Sequence, residues 1–249
     1  MSDVTIRRPL VWFSEGATDV GTVRPLNEDA FIAQPDIGLW TVADGMGGHD
    51  GGSVASQMIV DHLSQLTADE HVETMVTNIE NTLLTVNQQL LEYSQNRLNG
   101  RIIGSTVVSL LIKGNIGVCL WAGDSRVYRL RHDKLTVMTT DHSHVAELVK
   151  QGLISEEEAE THPEANVITR AVGTSQRLDI DLEVFNVQVG DQYLLCSDGL
   201  YNAVPECDIV NAMAGDNLSA SVEKLIETAL NNKASDNISV VLVKGSHQS

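Results

Sequence analysis

Gly117-Val118-Cys119-Leu120-Trp121-Ala122 and Val127-Tyr128-Arg129-Leu130, separated only by Gly123-Asp124-Ser125-Arg126, decide how this chain is read. Both runs are apolar, of strand length and bounded by turn formers. So short a link favours an antiparallel hairpin, because a parallel crossover needs about a dozen residues or more. Working outward, similar runs recur at Gly38 to Ala43, Thr106 to Ile112, Tyr193 to Cys196 and Ile238 to Val243. Between them, Val72, Val76, Ile79, Leu83, Val86, Leu90 and Tyr93 alternate steps of four and three and share one helical stripe. Ala55, Ile59, Leu63 and Leu66 form a second stripe, and Val222, Leu225, Ile226 and Ala229 a third. One-sided helices need a sheet to cover. The order is not a regular strand-helix alternation, so the expected class is layered α/β (α+β) with mainly antiparallel sheets.

The chain has 249 residues, of which 42% are hydrophobic, with 19 Gly and 5 Pro, and such a composition builds a globular core. No linker or repeat divides it, so residues 1–249 are read as a single domain. Sixteen Lys and Arg against 34 Asp and Glu leave a net charge of -18, which excludes nucleic acid as a partner because a polyphosphate needs a basic surface. No stretch approaches about 18 apolar residues, so no membrane span is expected, and Leu10-Val11-Trp12-Phe13 is too short for a signal peptide. Cys119, Cys196 and Cys207 are odd in number and widely spaced, forming neither a disulfide framework nor a zinc motif. A reducing cytoplasm is the expected setting.

Carboxylates recur at the ends of the strands. The run 37–43 enters Asp44-Gly45, the run 193–197 enters Asp198-Gly199, the run 118–123 enters Asp124, and Asp236-Asn237 opens the last strand. Singly, each reads most simply as a turn, since Asp bonds its own backbone and Gly accepts positive φ. Collectively they fit either four separate turns or convergence on one site. Converging carboxylates repel, so their pKa values rise or cations occupy the gap, and hard divalent cations suit an all-oxygen donor set. Mg²⁺ or Mn²⁺ is expected, with Gly45 letting a backbone carbonyl approach. Two such ions acidify a shared water and clamp an oxyanion in an in-line displacement, for which phosphate ester hydrolysis is the natural use. Arg24, just before Asn27-Glu28-Asp29, offers a bidentate fork for phosphate oxygens. A thiolate phosphatase is excluded, because the nearest C-x5-R candidate, Cys119 to Arg126, is one residue too long. G-x-S-x-G, H-E-x-x-H and P-loop motifs are absent as well.

These segments together resemble the bacterial metal-dependent protein serine/threonine phosphatases of the 2C type. The resemblance rests on 23–29, 42–49, 104–106, 122–126, 195–200 and 235–239, in family order, and spans nearly the whole chain. It implies a sandwich of two antiparallel sheets flanked by helix pairs, with two metal ions in the cleft between the sheets. Asp44 would bridge both ions, the Gly45 carbonyl would complete one, and Asp198 and Asp236 would hold the other. Glu28 and Asp29 would reach the metals or their waters from outside, beside Asn237, and Asp124 with Asp198 would supply a weaker third position. Arg24 would bind substrate phosphate. The segment 141–165, which carries the Ser155 to Glu158 capping box, would be a flap beside the cleft. The expected partners are phosphorylated proteins, including a Ser/Thr kinase or its substrates. Asp141-His142-Ser143 and the stretch 162–173 look like the branch found beside type VI secretion.

One position departs from the animal branch of that family, which has a His two residues after the bridging Asp. Here it is Met46, whose thioether cannot donate a proton, so leaving-group protonation must come from a coordinated water or another residue, with His49 the nearest candidate. Met46 is also the sole support for an alternative, a non-catalytic module that binds phosphoproteins on the same fold.

Overall fold

Runs that are apolar at every position become strands here because both of their faces are buried. The computed structural model describes residues 10–47 and 51–247. Its strands are β1 (Leu10–Asp19), β2 (Asp29–Gln34), β3 (Leu39–Met46), β4 (Gly104–Ser105), β5 (Val107–Lys113), β6 (Ile116–Ala122), β7 (Arg126–Arg131), β8 (Lys134–Val137), β9 (Asp181–Asn186), β10 (Gln192–Cys196) and β11 (Ile238–His247). Its helices are α1 (Gly51–Leu63), α2 (Val72–Arg97), α3 (His144–Lys150), α4 (Glu156–Glu160), α5 (Asp198–Tyr201), α6 (Glu206–Met213) and α7 (Leu218–Asn231). One sheet has the order β1-β11-β10-β7-β8, the other β2-β3-β5-β6-β9 with β4 attached to β3, and the pairings are antiparallel.

The period of two assigns each side chain to a layer. Trp40 and Val42 of β3, Cys119 and Trp121 of β6, Tyr193 and Leu195 of β10, and Val241 and Val243 of β11 fill the space between the sheets. Their neighbours Leu39, Ala43, Val118 and Leu120 pack with α1 and α2. Leu194, Cys196, Val240 and Leu242 pack with α5, α6 and α7. The expected class, two antiparallel sheets flanked by helices, is therefore observed. On α2 the buried side chains Ile79, Leu83, Val86 and Leu90 follow the stripe read from the sequence, and Ser155 caps α4 through the expected capping box. No helix among the described residues is long and apolar enough to cross a membrane.

The hairpin expected at Gly123-Asp124-Ser125-Arg126 is not formed. β6 lies in one sheet and β7 in the other, so this link carries the chain across the sandwich. Gly123 makes the crossing with φ +123°, and a Cβ there would come within 2.5 Å of the Thr106 side chain. A short link between strands thus proved compatible with a change of sheet, and the crossing leaves Asp124 at the mouth of the space between them.

Away from that mouth the sheets are joined by a buried ion pair. Asp191, fully buried, accepts from Arg131 Nε and Nη2 at 2.6 Å each, from Tyr193 Oη at 2.9 Å and from Gln188 N at 2.8 Å. Arg131 Nη2 also donates to the Asn186 carbonyl at 2.9 Å, so β7 of one sheet is tied to β9 of the other. Asp191 is fully buried while Arg131 keeps part of its side chain in water, so removing the carboxylate leaves the buried Tyr193 hydroxyl without its acceptor and the guanidinium without its charged partner. Asp191→Ala is expected to lower unfolding free energy by about 2 kcal/mol in urea denaturation, and a midpoint equal to the parent protein's would contradict this account.

Candidate metal centre

Both sheets deliver carboxylates to the open end of the sandwich. Asp44, near the end of β3, stands in register with Asp29 at the start of β2. The backbone of Asp44 is held by Thr106, whose N donates to the Asp44 carbonyl at 2.8 Å and whose Oγ1 accepts from Asp44 N at 3.1 Å. Gly45 N donates to the Glu28 carbonyl at 3.1 Å, and a Cβ on Gly45 would collide with the carbonyls of Glu28 and Gly52. Glycine is therefore required for β3 to pass this close. From the second sheet, β10 ends at Ser197, the N-cap of α5, so Asp198 opens that helix, while Asp236 sits in the turn before β11. Ser197 stitches the halves together: its Oγ donates to Asp29 Oδ2 at 2.8 Å and accepts from Ser239 N at 2.9 Å.

Burial and mutual repulsion raise the carboxyl groups of Asp29, Asp44, Asp124 and Asp198. Asp44 is pushed well above the ordinary range, first by loss of water and then by Asp29, Asp198, Asp124 and Asp236. Asp198 rises to about 8 through burial, Asp124, Asp236 and Asp29, with Arg24 pulling the other way. Burial also lifts Asp29, against the hydrogen bonds from Ser197 and Ser239. Asp124 reaches about 6, mainly by burial and next by Asp141. Asp44 is thus within electrostatic reach of the other four aspartates. Asp29 Oδ1 and Asp198 Oδ1 are buried without any hydrogen-bond partner, and unsatisfied buried oxygens of this kind are costly. An oxygen-seeking divalent cation fits that donor set. The carboxylates are not drawn into a finished chelate, since no group of three His, Cys, Asp or Glu among the described residues is close enough to hold an ion as it stands.

Arg24 is placed on the rim with more than half of its side chain exposed, and it grips Asp236: Nε to Oδ1 at 3.0 Å and Nη2 to Oδ2 at 2.7 Å. Its loop is braced by Asn237, whose Oδ1 accepts from Glu28 N at 2.8 Å and whose Nδ2 donates to the carbonyls of Val20 and Leu26 at 2.9 Å. Asn237 therefore shapes the site through backbone. Glu28 Oε1 accepts from Gly52 N at 3.0 Å, tying its side chain to the start of α1, whereas Asp29 lies inside the carboxylate cluster. Met46 pairs with Gly104 at the end of β3. His49 lies outside the described residues. Sequence reasoning overlooked Ser197 and Ser239, although Ser197 directly precedes Asp198, and it overlooked Tyr201, whose Oη donates to the Asp124 carbonyl at 3.1 Å.

An αββα sandwich with an acid-lined cleft between its sheets is the architecture of the 2C-type phosphatases. The chain belongs to that family: the family model described as protein phosphatase 2C matches residues 24–242. Among its relatives is the serine/threonine phosphatase stp of Listeria innocua, 36% identical over 239 residues that cover 93% of this chain and 95% of the relative. The solved structure of PppA, described as a key regulatory component of T6SS in Pseudomonas aeruginosa, is 38% identical with a TM-score of 0.87, covering 95% of this chain and all of that one. The catalytic domain of PstP, solved in complex with two manganese ions, is 33% identical with a TM-score of 0.86, covering 95% of this chain and 99% of that one.

A carboxylic acid whose folded pKa lies above its unfolded value binds its proton more tightly when folded, so its contribution favours the fold at low pH and is lost as pH rises through the folded value. With Asp124 at about 6 and Asp198 at about 8, the melting temperature in EDTA is expected to fall between pH 5 and pH 8. Saturating Mn²⁺ should raise it and flatten the slope, because the ions replace the protons. Asp44→Asn should melt about 3 °C higher than the parent in EDTA at pH 8, about 1 kcal/mol for a chain of this size, and lose most of the Mn²⁺ increment. A melting temperature in EDTA that climbs across this range would refute the assignment.

Proposed function

We propose that this chain is a Mn²⁺- or Mg²⁺-dependent phosphatase that removes phosphate from serine and threonine of phosphorylated proteins, opposing a Ser/Thr kinase in the cytoplasm. The observation that carries this reading is the gathering of five aspartates from both sheets around two carboxylate oxygens that are buried and have no donor. The names of the relatives support it over a non-catalytic phosphoprotein-binding module, as does the manganese complex of the PstP domain. Three free cysteines, two of them buried, suit a reducing compartment.

In this reading Asp44 and the Gly45 carbonyl, with Asp198 and Asp236, hold two ions, and Asp124 with Asp198 offers a third, weaker position. When bound, the ions supply an acidified water and a clamp on the phosphoryl oxygens. The chain's own residues do the rest. Ser197 and Ser239 keep Asp29 oriented toward Asp44, and Asn237 fixes the loop that carries Arg24. Arg24 exchanges the two oxygens of Asp236 for two of the substrate's phosphate, which frees Asp236 for an ion and orients the ester. Met46 has no proton to give, so it takes no part in protonating the leaving hydroxyl.

Hydrolysis of an aryl phosphate and of phosphoserine peptides should require Mn²⁺ or Mg²⁺ and stop in EDTA, while Asp44→Asn and Asp236→Asn fold but fall to background. Undiminished turnover in those variants would sink the proposal. Arg24→Ala separates the two tasks of the guanidinium. It should raise KM for phosphopeptide about tenfold, yet leave Mn²⁺ affinity equal or tighter because Asp236 is released. Parallel loss of metal binding would contradict the exchange.

A further inference from the structure

The hydrolytic reading makes no use of His142, a buried imidazole at the root of the 141–165 segment. Its Nδ1 accepts from Gly123 N at 3.2 Å, and its own N donates to the Gly123 carbonyl at 2.9 Å. An Nδ1 that accepts carries no proton, so the ring's proton is on Nε2. Nε2 stands 3.1 Å from Asp181 Oδ2, the side on which a donor is needed. Arg170 Nη1 donates to Asp181 Oδ1 at 2.6 Å and lies 3.3 Å from Nε2, completing a trio from three separate stretches of chain. Trp121 stacks on the imidazole with ring centroids 6.0 Å apart and planes 14° from parallel. Burial chiefly lowers the pKa of the ring, with Arg170 acting in the same sense and Asp181 and Asp141 opposing.

Both stems of the segment meet at this residue. Thr169 N donates to the His142 carbonyl at 2.7 Å, His144 N to the Val167 carbonyl at 2.8 Å, and Ser143 bridges Ile168. On the other side of the ring, Gly123 is followed by Asp124, whose carbonyl is held by Tyr201. Thr106 fills the space a side chain at 123 would need, and its Oγ1 bonds Ser125 Oγ at 2.8 Å. The crossing between the sheets is therefore held from several directions, and the segment beside the cleft supplies two of the holds: the ion pair of Asp141 with Arg126 at its far end, and His142 at Gly123, the residue before Asp124.

We propose that His142 is a positioning residue that joins both stems of the 141–165 segment to the Gly123-Asp124 turn, so that the aim of Asp124 into the cleft depends on the seating of that segment. The proposal rests on Asp124 being a cation ligand, as the proposed function has it. An outer residue that orients a ligand commonly changes metal affinity by about 10- to 100-fold when removed. His142 reaches Asp124 through one peptide unit rather than directly, so the lower end of that range is expected.

Calorimetric titration of the folded protein with Mn²⁺ alone provides the test, with Asp124→Asn first identifying the binding event that belongs to Asp124. His142→Leu should weaken that event about tenfold and leave the tighter ones unmoved, while His142→Asn, whose Oδ1 stands in for Nδ1, should recover it to within about threefold. In the double variant His142→Leu adds nothing to Asp124→Asn, as coupling through one ligand demands. Should His142→Leu not fold, Asp181→Asn keeps the ring and removes the charge that orients it, and it should weaken the same event. Unchanged Mn²⁺ binding in a folded His142→Leu overturns the proposal, as does a His142→Asn variant as poor as His142→Leu, or no binding event lost in Asp124→Asn. Failure of the parent protein to bind Mn²⁺ would instead overturn the proposed function.

Discussion

Repulsion among like charges is the constraint around which this molecule is organised. Asp29, Asp44, Asp124 and Asp198 are each placed where neighbouring carboxylates and loss of water raise the cost of ionisation, and Asp236 adds its charge from the edge of the cleft. Such a cluster cannot assemble itself, so the surrounding fold must supply the free energy that holds it. That supply is the core between the sheets and the two cores beneath the helices, where side chains such as Trp40, Tyr193 and Leu83 are fully buried. Each of these contributes about 1.5–3 kcal/mol. The sandwich is thus rigid away from the cleft and charged at its mouth.

The two sheets enter the site on unequal terms. β2 and β3 bring Asp29 and Asp44 on regular, paired backbone, whereas Asp124, Asp198 and Asp236 stand at a crossing, a helix start and a turn. Irregular backbone needs local anchors: Tyr201 holds Asp124 and Asn237 sits beside Asp236, while Ser197, just before Asp198, makes no capping hydrogen bond with its side chain and ties Asp29 to β11 instead. Three side-chain hydrogen bonds of Asn237 join the Arg24 loop to the start of β11. The site is consequently most rigid where the fold is regular and most dependent on single side chains where it is not.

What the sequence made legible follows burial. β3, β6, β10 and β11 are covered on both faces and could be read as unbroken apolar runs, and α2 could be read from its stripe. β1 pairs with β11 along its length, yet its partly covered residues are interrupted by exposed Phe13, Glu15 and Thr18, which left it unseen. β9 is an edge strand in which Asp181 and Glu183 alternate with exposed Leu182 and Val184, a period-two signal that differs from the unbroken apolar runs of the central strands. The aspartates at strand ends were visible because Gly follows Asp44 and Asp198, while their convergence could not be read from spacing. The misplaced hairpin has the same origin: link length constrains the distance between strands but not the sheet to which the second belongs. Ser197, Ser239 and His142 act through a few hydrogen bonds each, made to residues distant in sequence, and nothing in composition distinguishes them from ordinary core residues.

The choice of neutral donors inside the cleft has a consequence for how the repulsion is relieved. Lysine or arginine buried among the aspartates would cancel their charge permanently and compete with any mobile cation. Asp29 is instead oriented by hydroxyls, and the arginines nearby are engaged elsewhere: Arg126 with Asp141, Arg131 with Asp191, Arg170 with Asp181. Among the described arginines, Arg24 is the one that forms an ion pair with a member of the cluster, from the exposed rim, where water screens its bond to Asp236 and makes it exchangeable. A net charge of -18 deepens the negative potential over the whole surface and draws small cations rather than polyanions. The acidic composition and the neutral lining of the cleft therefore act in the same direction. Apart from Arg24 on Asp236, whatever neutralises these carboxylates must come from solution, and because they belong to both sheets, its binding free energy adds directly to the stability of the sandwich.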